Sequence, residues 1–224
     1  MTSEAQRPRH AIVVRGGWEG HSPVEATDRF IPFLEKHEFT VEVHDSPEVY
    51  ADAHALAAAD LVVQCFTQGV ATDEQVLGLS AAVQAGTGLA GWHGGIVDSF
   101  RGSPDYLHLT GGQWAAHPGG FVEHETAVVP DKADHPIVQG LDRWQLDTEQ
   151  YWVLTDGLND VLATTTFGVT AETPWREEVT CPAVWTRQWG EGRVFVSTIG
   201  HKLEDLDIPG IRTLTERGLL WASR

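Results

Sequence analysis

The segment Gly91-Trp92-His93-Gly94-Gly95 carries the clearest chemical signal in the chain. It closes an apolar run, Leu89-Ala90-Gly91-Trp92, with the pattern of a buried strand. A strand running into G-x-nucleophile-x-G forms the sharp turn that raises a reactive side chain above an α/β sheet, and here histidine holds that place. Histidine cannot form the acyl or thioester intermediates open to serine or cysteine, but it exchanges protons near neutral pH and ligates metals. The pattern therefore points to acid/base or metal chemistry and away from acyl transfer. The plainer alternative is that His93 only caps the turn, since unrelated glycine-rich loops share this spacing.

Other proton-handling residues recur at loop positions: His21, Asp98, His117, Glu149 and His201. His201 follows the apolar run Val194-Phe195-Val196-Ser197-Thr198-Ile199-Gly200, at a strand's exit as His93 is. Two histidines leaving two strands of one sheet can converge, so His93 and His201 are expected to share a site, as proton-transfer groups or as metal ligands. His117 lies between Gly111-Gly112 and Pro118, which exclude regular helix and imply a shaped loop. Glu149 and Tyr151 fall on the same side of an extended segment. A carboxylate there either orients a histidine or a substrate hydroxyl, or is simply exposed. His135, in Asp134-His135-Pro136, reads as a structural turn residue. Nine tryptophans are many for 224 residues, and Trp18, Trp92 and Trp114 stand beside these polar positions. Aromatic faces next to hydrogen-bonding groups suit sugar rings. H-E-x-x-H, a phosphate-binding loop and a dinucleotide fingerprint are all absent.

Apolar periodicity supplies the elements that must position these residues. Strands are expected at 11–14, 39–43, 60–64 and 89–92, alternating with helices at about 24–37, 47–59 and 73–85, the last opened by a Thr72/Gln75 capping box. Such alternation implies a parallel sheet with helices on both faces and ligands beyond the carboxyl ends of the strands, where His21, Cys65 and His93 fall. From Phe121 the pattern turns β-rich, with strands at 121–129, 161–166, 183–187 and 193–198, some antiparallel, and a hairpin turn at Gly190-Glu191-Gly192. A helix at 211–222 closes the chain.

The chain is expected to form one domain over residues 1–224, with residues 1–9 polar and flexible. Fifteen Lys and Arg against 32 Asp and Glu give a net charge of −17. That balance argues against nucleic acid and anionic membranes and favours a small neutral or cationic partner. No leader or spanning segment is apparent, so a cytoplasmic location is expected. Cys65 and Cys181 are too few for a disulfide framework and read as buried free thiols; residual amidase chemistry at either is disfavoured because neither lies at an elbow.

Taken together, these motifs resemble the trehalose-utilisation (ThuA-like) family. The resemblance rests on Gly91-x-His93-Gly94-Gly95 with Asp98-Ser99-Phe100, Tyr106-x-x-Leu109-x-Gly111-Gly112 leading to His117-Pro118, and Asp134-His135-Pro136-Ile137 with Gly140-Leu141. It continues through Glu149-x-Tyr151, Pro182-x-x-Trp185, and Gly192-Arg193-Val194-Phe195 with Gly200-His201. It implies a flavodoxin-like three-layer α/β sandwich, mainly parallel, related to class I glutamine amidotransferases, with His93 where the catalytic cysteine would stand. It also implies a role in the metabolism of disaccharides such as trehalose and their 3-keto derivatives. Thr148 stands where members of the family often have an acidic residue.

The expected catalytic residues are His93, His201 and Glu149, with His93 and His201 as ligands should a divalent ion, zinc or manganese, be bound. Trp18, His21, Trp92, Gly94, Asp98, His117 and Tyr151 are the expected substrate-binding positions. The expected activity is that of an isomerase, lyase or hydrolase on a sugar or keto-sugar, without glutaminase activity and with a homodimer as one possible assembly. The alternative is a non-catalytic sugar-binding or complex-forming subunit on the same scaffold.

Overall fold

Successive residues of the central strands face two separate cores. In the computed structural model, which describes residues 8–224, β1 (Arg9–Gly17) sends Ala11 and Val13 into one core and Ile12 and Val14 into the other. The pattern repeats in β3 (Leu61–Thr67) and β4 (Gly88–Trp92), where Val63 and Ala90 face the first core and Val62 and Leu89 the second. Strands buried on both faces need helices above and below. The edge strand β2 (Phe39–His44) lies parallel to β1.

The remaining strands are β5 (Gly112–Ala116), β6 (Phe121–Val128), β7 (Arg143–Glu149), β8 (Trp152–Thr155), β9 (Asp160–Phe167), β10 (Val179–Trp189) and β11 (Gly192–Ser197). The large sheet has the order β2-β1-β3-β4-β11-β10-β9-β6-β7. It is parallel from β2 to β11, and β10, β9, β6 and β7 extend it antiparallel. β5 and β8 form a separate antiparallel pair.

The helices are α1 (Pro23–Asp28), α2 (Ile31–Lys36), α3 (Ala53–Ala58), α4 (Asp73–Gln84), α5 (Gly94–Val97), α6 (Pro104–Thr110), α7 (Leu203–Asp207) and α8 (Pro209–Ala222). Leu34, Leu206, Leu214 and Leu219, from α2, α7 and α8, fill the first core; Leu56, Leu79, Ile96 and Leu109, from α3 to α6, fill the second. Among the described residues no helix is long and apolar enough to cross a membrane.

The structure redraws several expected elements. The helix expected over 24–37 divides into α1 and α2, because Pro32 lacks an N–H and its ring would meet the carbonyl four residues back. The 47–59 helix divides into a 3₁₀ turn, Pro47–Ala51, and α3, which Asp52 starts by accepting from the N–H groups of His54 and Ala55 at 2.9 and 3.0 Å. The capping box on α4 is complete: Thr72 Oγ1 accepts from Gln75 N–H at 3.2 Å and Gln75 Oε1 from Thr72 N–H at 2.8 Å. The segment expected as a shaped loop before His117 is the strand β5. Residues 1–7 of the expected flexible lead lie outside the described residues, and Arg9 already belongs to β1.

Candidate functional site

β4 ends at Trp92, and His93 then adopts φ 48° and ψ −144° before α5 starts at Gly94. A side chain at positive φ is strained and persists only where surrounding bonds over-determine it. Here the His93 N–H donates to the Ser197 carbonyl at 2.7 Å, and the His93 carbonyl accepts from Ile96 and Val97 at 3.2 and 3.0 Å. The flanking glycines permit close approach: a Cβ on Gly95 would lie 2.8 Å from Cys65 Cα, and one on Gly94 2.4 Å from His21 Cε1.

Four strand exits meet at this elbow. His21 follows β1, with Nδ1 3.0 Å from Thr67 Oγ1 and its ring 4.6 Å from that of His93 and 4.9 Å from that of His201. His201 follows β11. Glu149 ends β7 and stands between the histidines, with Oε2 3.2 Å from His93 Nε2 and 3.0 Å from His201 Nδ1, and Oε1 3.6 Å from His117 Nε2. One ligand atom from each of His21, His93, Glu149 and His201 lies within 4.8 Å of all the others.

The hydrogen bonds fix the His93 tautomer. Nδ1 faces the Thr198 carbonyl at 2.8 Å, and a carbonyl only accepts, so Nδ1 carries the proton. In the neutral ring Nε2 is then a lone pair, and the Tyr151 hydroxyl donates to it at 2.7 Å. Burial holds His93 below the usual histidine range, partly offset by Glu149 and the Thr198 carbonyl. Burial, with the neighbouring His93 and His201, brings His21 down to about 3. Burial alone would raise Glu149, but the adjoining His201 and His93 rings outweigh it and hold the carboxyl well below the usual carboxylate range. Burial, then Glu149 and Asp98, raise Tyr151 and keep its hydroxyl protonated.

His93 Nε2 and His201 Nδ1 thus both face Glu149 Oε2, across 3.2 and 3.0 Å. His201 Nδ1 is buried against Glu149 yet off the line needed for a hydrogen bond, and it makes none among the described residues. Three imidazoles and one carboxylate converging in this way form a nitrogen-and-oxygen donor set that fits a divalent metal ion.

Above these donors opens a cleft of about 120 Å³. Trp18 rests edge-on to His21 at 4.7 Å, and Trp114 carries the Arg101 guanidinium 4.5 Å above its ring. Asp98, buried, binds Arg101 Nε. Asp98, His117 and Tyr151 line this cleft. Trp92 does not: its ring packs 4.9 Å from Phe30 in the first core, because an alternate position of β4 must face the helices. Gly94 acts through the space it leaves for the His21 ring rather than through a side chain. Gln68 and Arg101 also line the cleft and were not expected there. Arg101 follows Asp98 by three residues, and that acid–base spacing past the elbow is the only sequence signal for it.

Both cysteines are buried away from nucleophilic use. Burial pushes the Cys65 thiol up to about 12 and raises Cys181 as well. A disulfide thiol reagent at mildly alkaline pH is expected to leave the folded protein unlabelled and to titrate two thiols after unfolding in urea. Labelling of Cys65 in the folded state would restore it as a candidate nucleophile.

The family model for trehalose utilisation (ThuA) matches residues 10–222. None of the curated proteins matches the sequence. Among solved structures, a protein described as ThuA-like from Parabacteroides merdae is similar at a TM-score of 0.73 and 20% identity, covering 96% of this chain and 90% of that one. Another so described, from Bacteroides uniformis, gives 0.72 and 15%, covering 99% and 94%. A cytoplasmic protein from Salmonella typhimurium gives 0.65 and 13%, covering 96% and 100%. The family motifs noted in the sequence lie within the matched span and supply His93, His117, Glu149 and His201, and the chain belongs to the ThuA (trehalose utilisation) family.

Proposed function

We propose that this protein is an enzyme acting on a sugar or keto-sugar, with a divalent cation, zinc or manganese, held by His21, His93, Glu149 and His201. The observation that carries the reading is the convergence of these four donors, whose ligand atoms all lie within 4.8 Å of one another. Such an ion, when bound, polarises a substrate carbonyl. The strand order β2-β1-β3-β4-β11 supports the flavodoxin-like, amidotransferase-like reading of the scaffold, with histidine in the nucleophile's place.

The chain's own residues then divide the work. Thr198 and Thr67 orient the His93 and His21 rings from behind. Tyr151, protonated, has its hydroxyl at the donor cluster and serves as a hydrogen-bond donor or acid toward a substrate oxygen. His117 stands at the cleft outside the donor set, over a third exposed, where it can exchange a proton with bound substrate. A ketone acidifies the neighbouring C–H bonds, so a base placed there drives isomerisation or elimination without a covalent intermediate. Trp18, exposed at the cleft, offers an apolar face to a sugar ring.

Elemental analysis of the purified protein, followed by titration of the stripped protein with zinc and with manganese, tests the reading. One ion per chain, with turnover of a 3-keto-glycoside by the loaded protein, is expected. No retained ion and no binding on titration would overturn the metal assignment. An ion without keto-sugar turnover would favour a sugar-binding role over catalysis.

A further inference from the structure

A groove of about 600 Å³ lies apart from the histidine cluster, on the open face of β6 and β9 under the 168–175 segment. The geometry points to a second binding site there, for an uncharged, hydroxyl-rich ring such as a glycosyl unit. The volume falls within the range of small-molecule sites, roughly 300–1,000 Å³.

The groove's lining selects the ligand. Phe167 and Trp175 form one wall, held in an aromatic cluster by Trp152 at ring distances of 5.0 and 5.1 Å. Thr164 from β9 and Glu123 from β6 also line it, and among the described residues neither side chain has a hydrogen-bond partner. Gln150 adds a deeper signal. It is 6% exposed, and its Nε2 donates to Thr165 Oγ1 at 2.7 Å and to the Thr166 carbonyl at 3.1 Å, while Oε1 has no partner among the described residues and Gln150 lines the groove.

The unpartnered amide oxygen of a buried glutamine, the Glu123 carboxylate and a free threonine hydroxyl beside an aromatic wall match a sugar ring, which donates hydroxyl protons from its rim and presents C–H groups from its face. No Lys or Arg lines the groove, so a phosphorylated or carboxylated ligand would meet glutamate without a counter-charge.

The groove shares two segments with the cleft. Pro118 and Gly119 follow His117, and Gln150 sits between Glu149 and Tyr151. A ring bound in the groove therefore packs against the same backbone that presents His117 and Glu149. The inference shares the sugar class of the proposed function but needs no metal.

Titration calorimetry with trehalose, a neutral disaccharide, tests it, with glucose 6-phosphate as the anionic control. The expected result is a saturable trehalose site that persists in His93→Ala, where only binding at the cleft can change, and that is about tenfold weaker in Trp175→Ala, a loss equivalent to about 1.4 kcal/mol. Glu123→Ala with Thr164→Val should weaken it similarly; both positions are free of hydrogen-bond partners, so this variant keeps the fold if Trp175→Ala does not. Glucose 6-phosphate should not compete. Absence of saturable trehalose binding, or binding lost in His93→Ala and kept in both groove variants, would overturn the proposal. Metal content measured on the same samples separates the outcomes: a full complement of ion with no groove binding leaves the functional reading standing, and groove binding by metal-free protein does the reverse.

Discussion

Replacing Glu149 by glutamine is expected to abolish divalent-ion binding at the proposed site while leaving the fold in place. Glu149 is the single carboxylate of the donor set and touches His93, His201 and His117 together. Glutamine keeps the side chain's shape but removes the negative charge and one acceptor oxygen. Loss of a supporting partner alone typically weakens a metal site by about 10–100-fold, and loss of a ligand should exceed that, so an affinity loss on the order of 100-fold or more is expected. Thermal denaturation gives an independent readout. An ion at 100 times its dissociation constant stabilises the native protein by about 2.7 kcal/mol, so added zinc or manganese should raise the wild-type midpoint and leave Glu149→Gln unmoved. Equal ion content and equal shifts in the two proteins would remove Glu149 from the ligand set.

A second large effect is expected from Gly91→Ala, in the strand that leads to the elbow. A Cβ there would lie 2.4 Å from the Gln64 carbonyl oxygen and 2.9 Å from Ile96 Cβ. The nearer neighbour is backbone of β3, paired with Gly91 in register, so no side-chain rotation relieves the clash. β3 and β4 must part or β4 must shift, and forced overpacking of this kind costs about 3 kcal/mol. Urea unfolding should show a lower midpoint at unchanged slope, the signature of lost stability rather than of a changed unfolded state. A cost within about 0.5 kcal/mol, the range of ordinary surface changes, would mean that the two strands separate freely and that the elbow is less tightly held than described.

The parallel half of the sheet was legible because both of its faces are buried: Ala11 to Val14 and Leu61 to Val63 appear as unbroken apolar runs. The elbow was legible for a local reason, a glycine on each side of a histidine. β7 was harder to see, although Trp144, Leu146 and Thr148 alternate inward along it. Its third inward residue is Thr148, which bonds the buried Asp205 carboxylate at 2.8 Å, so polarity hides the period. The same bond gives that threonine a structural role where an acidic residue was often expected. Trp92 shows the converse failure: adjacency to His93 in sequence placed it in the cleft, but consecutive strand residues point to opposite faces. Convergence of His21 with the others was the least legible part, because it depends on Thr67, 46 residues further on in the neighbouring strand β3, and on the space left by Gly94.

The four candidate ligands enter the chain at positions 21, 93, 149 and 201, each at or beyond the end of a different strand of the sheet. Their assembly requires contacts distant in sequence, which form slowly and late because loop closure must come first. An ion therefore cannot nucleate this fold as it does in a small zinc finger, and a growing chain has no complete donor set until His201 has been made. Capture of the ion would mark completed folding, and a protein with its donors intact but β11 undocked from β4 would be invisible to metal.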